Sequence, residues 1–322
     1  MGNTCLKDTI TSDTVVLMGD ANFNAINESV SKYTPCHYLI TQPIRRENIP
    51  PFVLEFYNIA NGGHYGQIMQ NHYKDIFFCN DVVYTIEKTK QSVYENVKKM
   101  QEVTTIFNNI LTPSEVYFNQ QSGIMFQKML HCNIGDLWTF CYIRKRSISI
   151  HIDHFVHSLA STLKVLHGMD IFLMDIKLEN IFGHVVNNSI TWMFGDTEYA
   201  FINAPFVKEG TLNPPYFEKF KWVRTLEYIP TREYPHCKRI AERNDCFALA
   251  RCIGTVIMFM KTGRPNSMFY GNKETIIYDC RANVNSAYPD DKYLSLLGDC
   301  VVEHNKYAND SFLSKIIDIS DS

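Results

Sequence analysis

The sequence contains no run of about 18 apolar residues of the length that crosses a membrane, and its first residues carry no apolar core typical of a signal peptide. Its ten cysteines include no Cys-x-x-Cys pair, and its eleven histidines are not clustered with other metal ligands. We therefore expect no transmembrane helix and no zinc site. We expect instead reduced, mostly buried thiols in a protein of the cytoplasm or the nucleus.

An excess of charge of one sign is also missing. The chain has 31 Lys and Arg residues against 34 Asp and Glu residues, so its formal net charge is −3. This balance gives no signature of nucleic-acid binding. Repeats and low-complexity segments are absent, and 322 residues are enough for one large domain or two modest ones.

The N-terminal sequence MGNTCL raises the question of a lipid anchor. Gly2 behind the initiator Met is the requirement for N-myristoylation, and Cys5 is available for palmitoylation. Leu6 departs from the motif, because Ser or Thr is expected there. An ordinary N-terminus is therefore the simpler interpretation, whereas a myristoylated Gly2 would make the protein membrane-peripheral.

Changes of pattern along the chain predict an α+β fold. Residues 1–51 are weakly periodic and end in a proline-rich connector, which indicates an N-terminal extension. Residues 52–132 contain short runs rich in Val, Ile, Phe and Tyr, and one segment with Val93, Val97, Met100, Val103 and Phe107 on a helical face. Residues 133–322 are mainly of helical pattern. We predict a small antiparallel β-sheet lobe with one helix, followed by a larger α-helical lobe.

Three segments of the second lobe allow more specific predictions. An amphipathic helix is predicted by the apolar stripe of Ile152, Phe155, Leu159, Leu163 and Leu166. The segment GHVVNNSITWMF predicts a hairpin that turns at Asn187 and Asn188. The segment NDCFALARCIGTVIMFMKTGRP is apolar nearly all round, which predicts a buried helix ended by Gly263 and Pro265. The last fifty residues predict short helices.

The segment MDIKLENI, from Met174 to Ile181, alternates charged and apolar residues. Such alternation is typical of an edge strand with one wet face, and also of a catalytic loop whose polar side chains point into one site. The spacing of Asp175, Lys177 and Asn180 resembles the protein-kinase catalytic loop, His-Arg-Asp-x-x-x-x-Asn. The resemblance implies that Asp175 is the catalytic base, that Lys177 contacts the γ-phosphate as in Ser/Thr kinases, and that Asn180 binds Mg²⁺.

A glycine turn lies where that family places its phosphate-binding loop. In NGGHYGQI the positions that match the family's Gly-x-Gly-x-aromatic-Gly-x-Val motif are Asn61, Gly63, Tyr65, Gly66 and Ile68. The resemblance implies that the backbone amides of this loop approach the phosphates of ATP. A plain hairpin turn is the alternative for this segment.

The resemblance also implies a lysine that grips the α- and β-phosphates and pairs with a helix glutamate. Lys88 in VVYTIEK is the candidate for the lysine, and Lys90 also fits. Glu102 is the candidate for the glutamate, with Glu95 as its rival. An ordinary surface lysine and an ordinary surface glutamate are the alternative.

The family's Asp-Phe-Gly motif, whose aspartate binds Mg²⁺, is matched only in part. Asp196 in WMFGDTEYAF is the candidate metal ligand, together with Asn180. Thr197 and Glu198 stand in place of Phe and Gly. A frame that reads MFG as the motif would leave Met193 at the metal, which a thioether does not suit.

A fifth segment, RTLEYIPTREY, resembles the Gly-Thr-Pro-Glu-Tyr-x-Ala-Pro-Glu segment with which protein kinases dock their substrates. Glu233 and Asp245 are 12 residues apart, as that family expects. The resemblance implies a buried salt bridge of Glu233, with Arg281 as candidate partner. It also implies that Asp245 accepts backbone amides of the catalytic loop.

Two departures bear on regulation. Leu173 and Met174 replace the His-Arg pair before the catalytic aspartate. Leu173 can still pack as an apolar residue, but Met174 cannot hold a phosphorylated activation loop. We therefore expect that phosphorylation between Asp196 and Glu233 is not the main switch.

The resemblance covers about residues 52–320 and implies a bilobal protein-kinase-like fold. It implies an ATP- and Mg²⁺-dependent Ser/Thr kinase that acts on a protein substrate, with a divergence similar to that of kinases of large DNA viruses. A pseudokinase that serves as a nucleotide- or protein-binding scaffold is the alternative, favoured by Thr197, Glu198 and the missing His-Arg pair. A small-molecule phosphotransferase is a second alternative, which the docking segment disfavours.

Overall fold

The structure is a computed structural model. It describes residues 69–70, 74–79, 82–87, 91–104, 110, 115–118, 123–128, 132–135, 137, 150–186, 189–197, 200–202, 206–207, 211–212, 228–230, 237–263, 269–270, 274, 276–277, 279–280 and 288–322. Contacts divide the chain into one unit of Met1–Phe140 with Phe182–Thr191 and a second unit of Cys141–Ile181 with Trp192–Ser322. The sequence predicts one boundary, between residues 132 and 133, and gives no sign that residues 182–191 join the first unit.

The first unit contains a five-stranded antiparallel sheet in the order β1-β2-β3-β5-β4. Its strands are β1 (Met69–Gln70), β2 (Lys74–Cys79), β3 (Val82–Glu87), β4 (Glu115–Phe118) and β5 (Gly123–Lys128). Helix α1 (Gln91–Thr104) lies between β3 and β4 in the chain, and its Val97, Met100 and Val103 are buried. The predicted antiparallel sheet with one helix is confirmed for this part of the chain.

A second sheet has three strands in the order β6-β8-β9. They are β6 (Cys132–Asn133), β8 (Ile181–Val186) and β9 (Ser189–Phe194). Strands β8 and β9 are hydrogen-bonded neighbours, which confirms the predicted strand pair, while its predicted turn at Asn187 and Asn188 lies outside the described residues.

The second unit is mainly helical, as predicted. Within the described residues its helices include α2 (Ile152–Gly168), α3 (Lys238–Thr262), α4 (Leu294–Val302), α5 (His304–Tyr307) and α6 (Asp310–Ser320), and its short strand pairs include β7 (Ile171–Phe172) with β10 (Phe201–Ile202) and β11 (Phe206–Val207) with β12 (Thr211–Leu212). Helix α6 packs along α2, and α4 packs along α3. No described helix is long and apolar enough to span a membrane.

Helix α2 buries the stripe that its sequence predicts, except for Ile152, which is half-buried. Phe155, Leu159, Leu163 and Leu166 are fully buried. Trp192 of β9 packs edge-on against Phe155, with the ring centroids 5.2 Å apart. The helix begins after His151, whose Nδ1 accepts the backbone N–H of His154 at 3.3 Å. Full burial of each large apolar side chain stabilises the unit by about 1.5–3 kcal/mol.

Helix α3 crosses the core of the second unit and is buried along most of its length. Because the helix is buried on all sides, its apolar residues are not confined to one face. Gly263 ends the helix in the left-handed region at φ 67°, and its N–H donates to the carbonyl of Phe259 at 2.7 Å. The predicted end at Gly263 is confirmed, and Pro265 lies outside the described residues. The helix begins at Lys238, ahead of the apolar segment that starts at Asn244.

The described cysteines fit the expectation of reduced, buried thiols. Cys237, Cys246, Cys252, Cys280 and Cys300 are thiols outside any disulfide, and all but Cys237 are buried. Burial raises the pKa of Cys280 to about 12 and the pKa of Cys246 well above its usual range. Such thiols stay protonated and unreactive.

Candidate functional site

The loop from Leu173 to Asn180 is fixed to the second unit by its apolar residues. The buried side chains are those of Leu173, Met174, Ile176, Leu178 and Ile181. No strand runs from Leu173 to Lys177, and Leu178–Asn180 forms a 3₁₀ turn before β8 begins. The edge-strand interpretation is therefore wrong for this segment, whose Ile176, Leu178 and Ile181 are buried.

Two polar side chains of the loop, those of Lys177 and Asn180, converge on Asp175. Lys177 Nζ donates to Asp175 Oδ2 at 2.7 Å. Asn180 Nδ2 donates to the Asp175 carbonyl at 2.9 Å and to Asp175 Oδ2 at 3.2 Å. Because the amide nitrogen of Asn180 is turned towards Asp175, Oδ1 is the amide atom suited to a cation. The structure thus brings together three residues that the sequence assigned to one site.

Asp245 of α3 supports this loop from below. Its Oδ2 accepts the N–H of Leu173 and its Oδ1 accepts the N–H of Met174, each at 2.7 Å. The predicted role of Asp245 as acceptor of loop amides is confirmed. Met174 has φ 66°, which costs a non-glycine residue about 1–2 kcal/mol. Each hydrogen bond to a carboxylate contributes about 1.5–3 kcal/mol, so the two bonds offset that cost.

Asp196 lies at the end of a segment that contacts the same loop. The N–H of Gly195 donates to the carbonyl of Asn180 at 2.9 Å. Asp196 itself is half-buried and has φ 54°. Backbone strain of this kind is concentrated at functional sites. The two predicted metal ligands, Asn180 and Asp196, therefore belong to neighbouring backbone segments.

The donor set of these two residues suits Mg²⁺. A carboxylate and an amide oxygen are hard ligands of the type that Mg²⁺ prefers. Within the described ranges, no group of three or more His, Cys, Asp or Glu side chains is placed to hold a metal ion. A Mg²⁺ ion held by Asn180 and Asp196 would therefore need phosphate oxygens or water as its other ligands.

A histidine that the sequence analysis missed lies beneath the loop. His167 is fully buried, with Nε2 3.3 Å from Asp245 Oδ2 and Nδ1 3.0 Å from Asp310 Oδ1. Burial alone would lower the pKa of His167, but the two carboxylates outweigh burial and raise this pKa to about 9. A signal existed in the sequence, because His167 follows Leu163 by one helical turn on the buried stripe.

The described part of the predicted docking segment is Tyr228–Pro230. The Arg251 guanidinium lies 4.6 Å from the centre of the Tyr228 ring. Arg251 is buried, and its Nε donates to the carbonyl of Phe269 at 3.3 Å. The cation–π contact ties this segment to α3. Sequence analysis missed Arg251, while Glu233 and its candidate partner Arg281 lie outside the described residues.

The remaining candidates are those of the first unit. The positions that lie outside the described residues are Asn61, Gly63, Tyr65, Gly66, Ile68, Lys88 and Lys90. Glu102 lies in the last turn of α1 with an exposed side chain, and Glu95 lies in the same helix. The predicted ion pair therefore stays a prediction. No protein-family model matches the chain, and no curated protein matches it either.

Proposed function

We propose that the protein is an ATP-dependent Ser/Thr protein kinase with the bilobal fold of that family. One observation carries the proposal: Asp175, Lys177 and Asn180 are joined by hydrogen bonds of 2.7–3.2 Å on a loop whose backbone Asp245 holds. The resemblance to the protein-kinase catalytic loop implies these roles. Independent support comes from the contact of Gly195, next to Asp196, with Asn180.

Each residue of the loop has a distinct part in the proposed transfer. The carboxylate of Asp175, which is 10% exposed, would accept the proton of an attacking Ser or Thr hydroxyl. Lys177 orients that carboxylate and places a positive charge beside the point where the γ-phosphate is transferred. Asn180 and Asp196 would hold Mg²⁺, which neutralises phosphate charge. Positioning and charge neutralisation supply most of the catalysis in such a reaction.

The family resemblance implies further residues for the proposed nucleotide site. Asn61, Gly63, Tyr65, Gly66 and Ile68 would cover the phosphates of ATP, and Lys88 would bind the α- and β-phosphates and pair with Glu102. The partners of the protein would then be ATP and a protein substrate, encountered in the cytoplasm or the nucleus. These roles follow from the family resemblance.

A pseudokinase is the second candidate function. Thr197 is buried directly after Asp196, where the family has a phenylalanine. A polar residue in that position changes how the segment after Asp196 packs. The protein would then bind a nucleotide or another protein on the same loop without transferring phosphate.

One experiment distinguishes the kinase from the pseudokinase. The full chain is incubated with Mg-ATP labelled at the γ-phosphate and a generic basic protein, and nucleotide binding is measured in parallel. The kinase proposal expects label on Ser or Thr residues of the basic protein and no label when Mg²⁺ is chelated. Binding of Mg-ATP without transfer would favour the pseudokinase, and the absence of both would contradict a nucleotide site.

A further inference from the structure

We propose that Asp310, the first residue of the C-terminal helix α6, is a positioning residue for the catalytic loop and acts through His167 and Asp245. The inference rests on the proposed function, because it concerns the same loop. It proposes that a residue distant in the sequence supports the structure of that loop.

The support is a continuous chain of hydrogen bonds. Asp310 Oδ1 lies 3.0 Å from His167 Nδ1, and His167 Nε2 lies 3.3 Å from Asp245 Oδ2. Asp245 then accepts the N–H groups of Leu173 and Met174, the two residues before Asp175. A substitution of Asp310 can therefore affect the backbone that precedes the proposed base Asp175, through three successive contacts.

The charges of the chain explain why Asp310 matters. Asp245 is only 1% exposed, and a carboxylate buried to this degree requires a positive partner. His167 supplies that charge only when both ring nitrogens are protonated, and a doubly protonated ring donates at both. Asp310 accepts the second of these bonds. Without it, the buried imidazolium would lose one of its two carboxylate partners.

Other charged groups near His167 do not replace Asp310. They are Lys238 and Glu242 of α3, Asp170 of the following turn and Lys164 of α2. Lys238 donates to the His167 carbonyl at 3.3 Å and is paired with Asp170 at 2.6 Å. Burial raises the pKa of Glu242. Within the described residues, Asp310 and Asp245 are the carboxylates in hydrogen-bond contact with the ring.

The position of Asp310 is set by the packing of α6. Phe312, Leu313 and Ile316 anchor the helix in the core. Asn309 caps the helix by accepting the N–H of Ser311 at 2.9 Å. A carboxylate in the first turn is also favoured by the helix dipole. The Asp310 side chain is 45% exposed, so a substitution by Asn leaves no cavity.

The test compares Asp310→Asn with Asp318→Asn, a matched change at an exposed position of the same helix. Ring ¹⁵N shifts of His167 report its protonation, and hydrogen exchange reports the amides of Leu173 and Met174. In Asp310→Asn we expect the pKa of His167 to fall from about 9 towards its ordinary value. Once the pH exceeds the lowered pKa, exchange of the two amides should be about tenfold faster than in the wild type at the same pH.

A control variant and a conservative variant distinguish an effect of the Asp310 charge from a general effect of substitution. Asp318→Asn should leave both readouts at wild-type values, and Asp310→Glu, which keeps the charge, should restore them. The exchange of Leu159, in the core of α2, should stay unchanged in all variants, because a loss of global stability would affect it as well. An unchanged pKa of His167 together with unchanged exchange at Leu173 and Met174 in Asp310→Asn would overturn the proposal.

The phosphotransfer rate separates this inference from the proposed function. In the wild type the protonated His167 persists to about pH 9, so kcat should not fall between neutral pH and that value. In Asp310→Asn kcat should fall as the pH rises through the lowered pKa, with KM for ATP unchanged. If the wild type transfers no phosphate but the exchange of the Leu173 and Met174 amides responds to Asp310→Asn, the proposed function is contradicted and the inference stands. If the wild type is active but neither the amide exchange nor the pH profile of kcat changes in Asp310→Asn, the inference is contradicted and the proposed function stands.

Discussion

Lys177 and Asp175 form an ion pair inside a loop, with Nζ 2.7 Å from Oδ2 and with only 22% and 10% of the two side chains exposed. A pair this desolvated gains little net stability from its Coulomb energy. Its geometry, however, fixes a carboxylate and a cation side by side. This arrangement is useful at a site where a proton leaves a hydroxyl and negative charge develops on a phosphate.

Substitution of Lys177 by Ala should lower kcat by about 10²–10³-fold, the range seen when one group that stabilises developing charge is removed. The measurement is the initial rate of γ-phosphate transfer at saturating Mg-ATP. Lys315→Ala, at an exposed position of α6, is the matched control and should keep the wild-type rate. Equal rates for the two variants would remove Lys177 from the mechanism.

Replacement of Asp196 by Asn should abolish the Mg²⁺ dependence of nucleotide binding and turnover, because an amide is a much weaker ligand for Mg²⁺ than a carboxylate. The affinity for ATP is measured with and without Mg²⁺ by calorimetry. Asp290→Asn, in an exposed turn, serves as control. If Asp196→Asn binds Mg-ATP as the wild type does, the metal ligand must be sought elsewhere.

The sequence predicted those parts of the site that depend on local spacing. The alternation of MDIKLENI is reproduced as buried Ile176 and Leu178 beside the polar Asp175 and Lys177. In the same way, the helical periodicity of α2 correctly predicted that Leu159 lies in the core. Such patterns are set by the 3.6-residue turn or by one short loop, and therefore appear within a few residues.

Features that depend on distant contacts were not predictable. Asp310 is 143 residues from His167, and no local pattern links the two. The early start of α3 was missed because four of the six residues from 238 to 243 are charged and give no apolar signal. The left-handed backbone of Met174 and Asp196 was equally hidden, because neither is glycine and only the surrounding contacts impose it.

Lys88→Met should abolish ATP turnover and leave the fold intact, because the lysine would grip the α- and β-phosphates. Lys90→Met is the comparison, since the sequence leaves Lys90 as the rival. Turnover and the far-UV circular dichroism spectrum are measured for both variants. Normal transfer by Lys88→Met, with loss of transfer in Lys90→Met, would show that the assignment is wrong by two residues.

Gly254→Ala should destabilise the second unit by about 1–3 kcal/mol, the usual cost of overpacking. A Cβ at Gly254 would lie 2.4 Å from Cδ1 of the buried Phe269, whose carbonyl binds Arg251. Gly168→Ala is the matched control, because a Cβ there meets nothing within 4 Å. Urea unfolding measures both changes. Equal free energies of unfolding for the two variants would contradict the packing of Phe269 on α3.

The most direct test of the proposed kinase activity is the rate of γ-phosphate transfer by Asp175→Asn. The amide keeps the size of the side chain, so the fold should remain, but it cannot accept the proton of the attacking hydroxyl. We expect kcat to fall by about 10²–10⁴-fold, the contribution of a general base. Asp290→Asn should keep the wild-type rate. An Asp175→Asn protein that transfers phosphate as fast as the wild type would contradict the account.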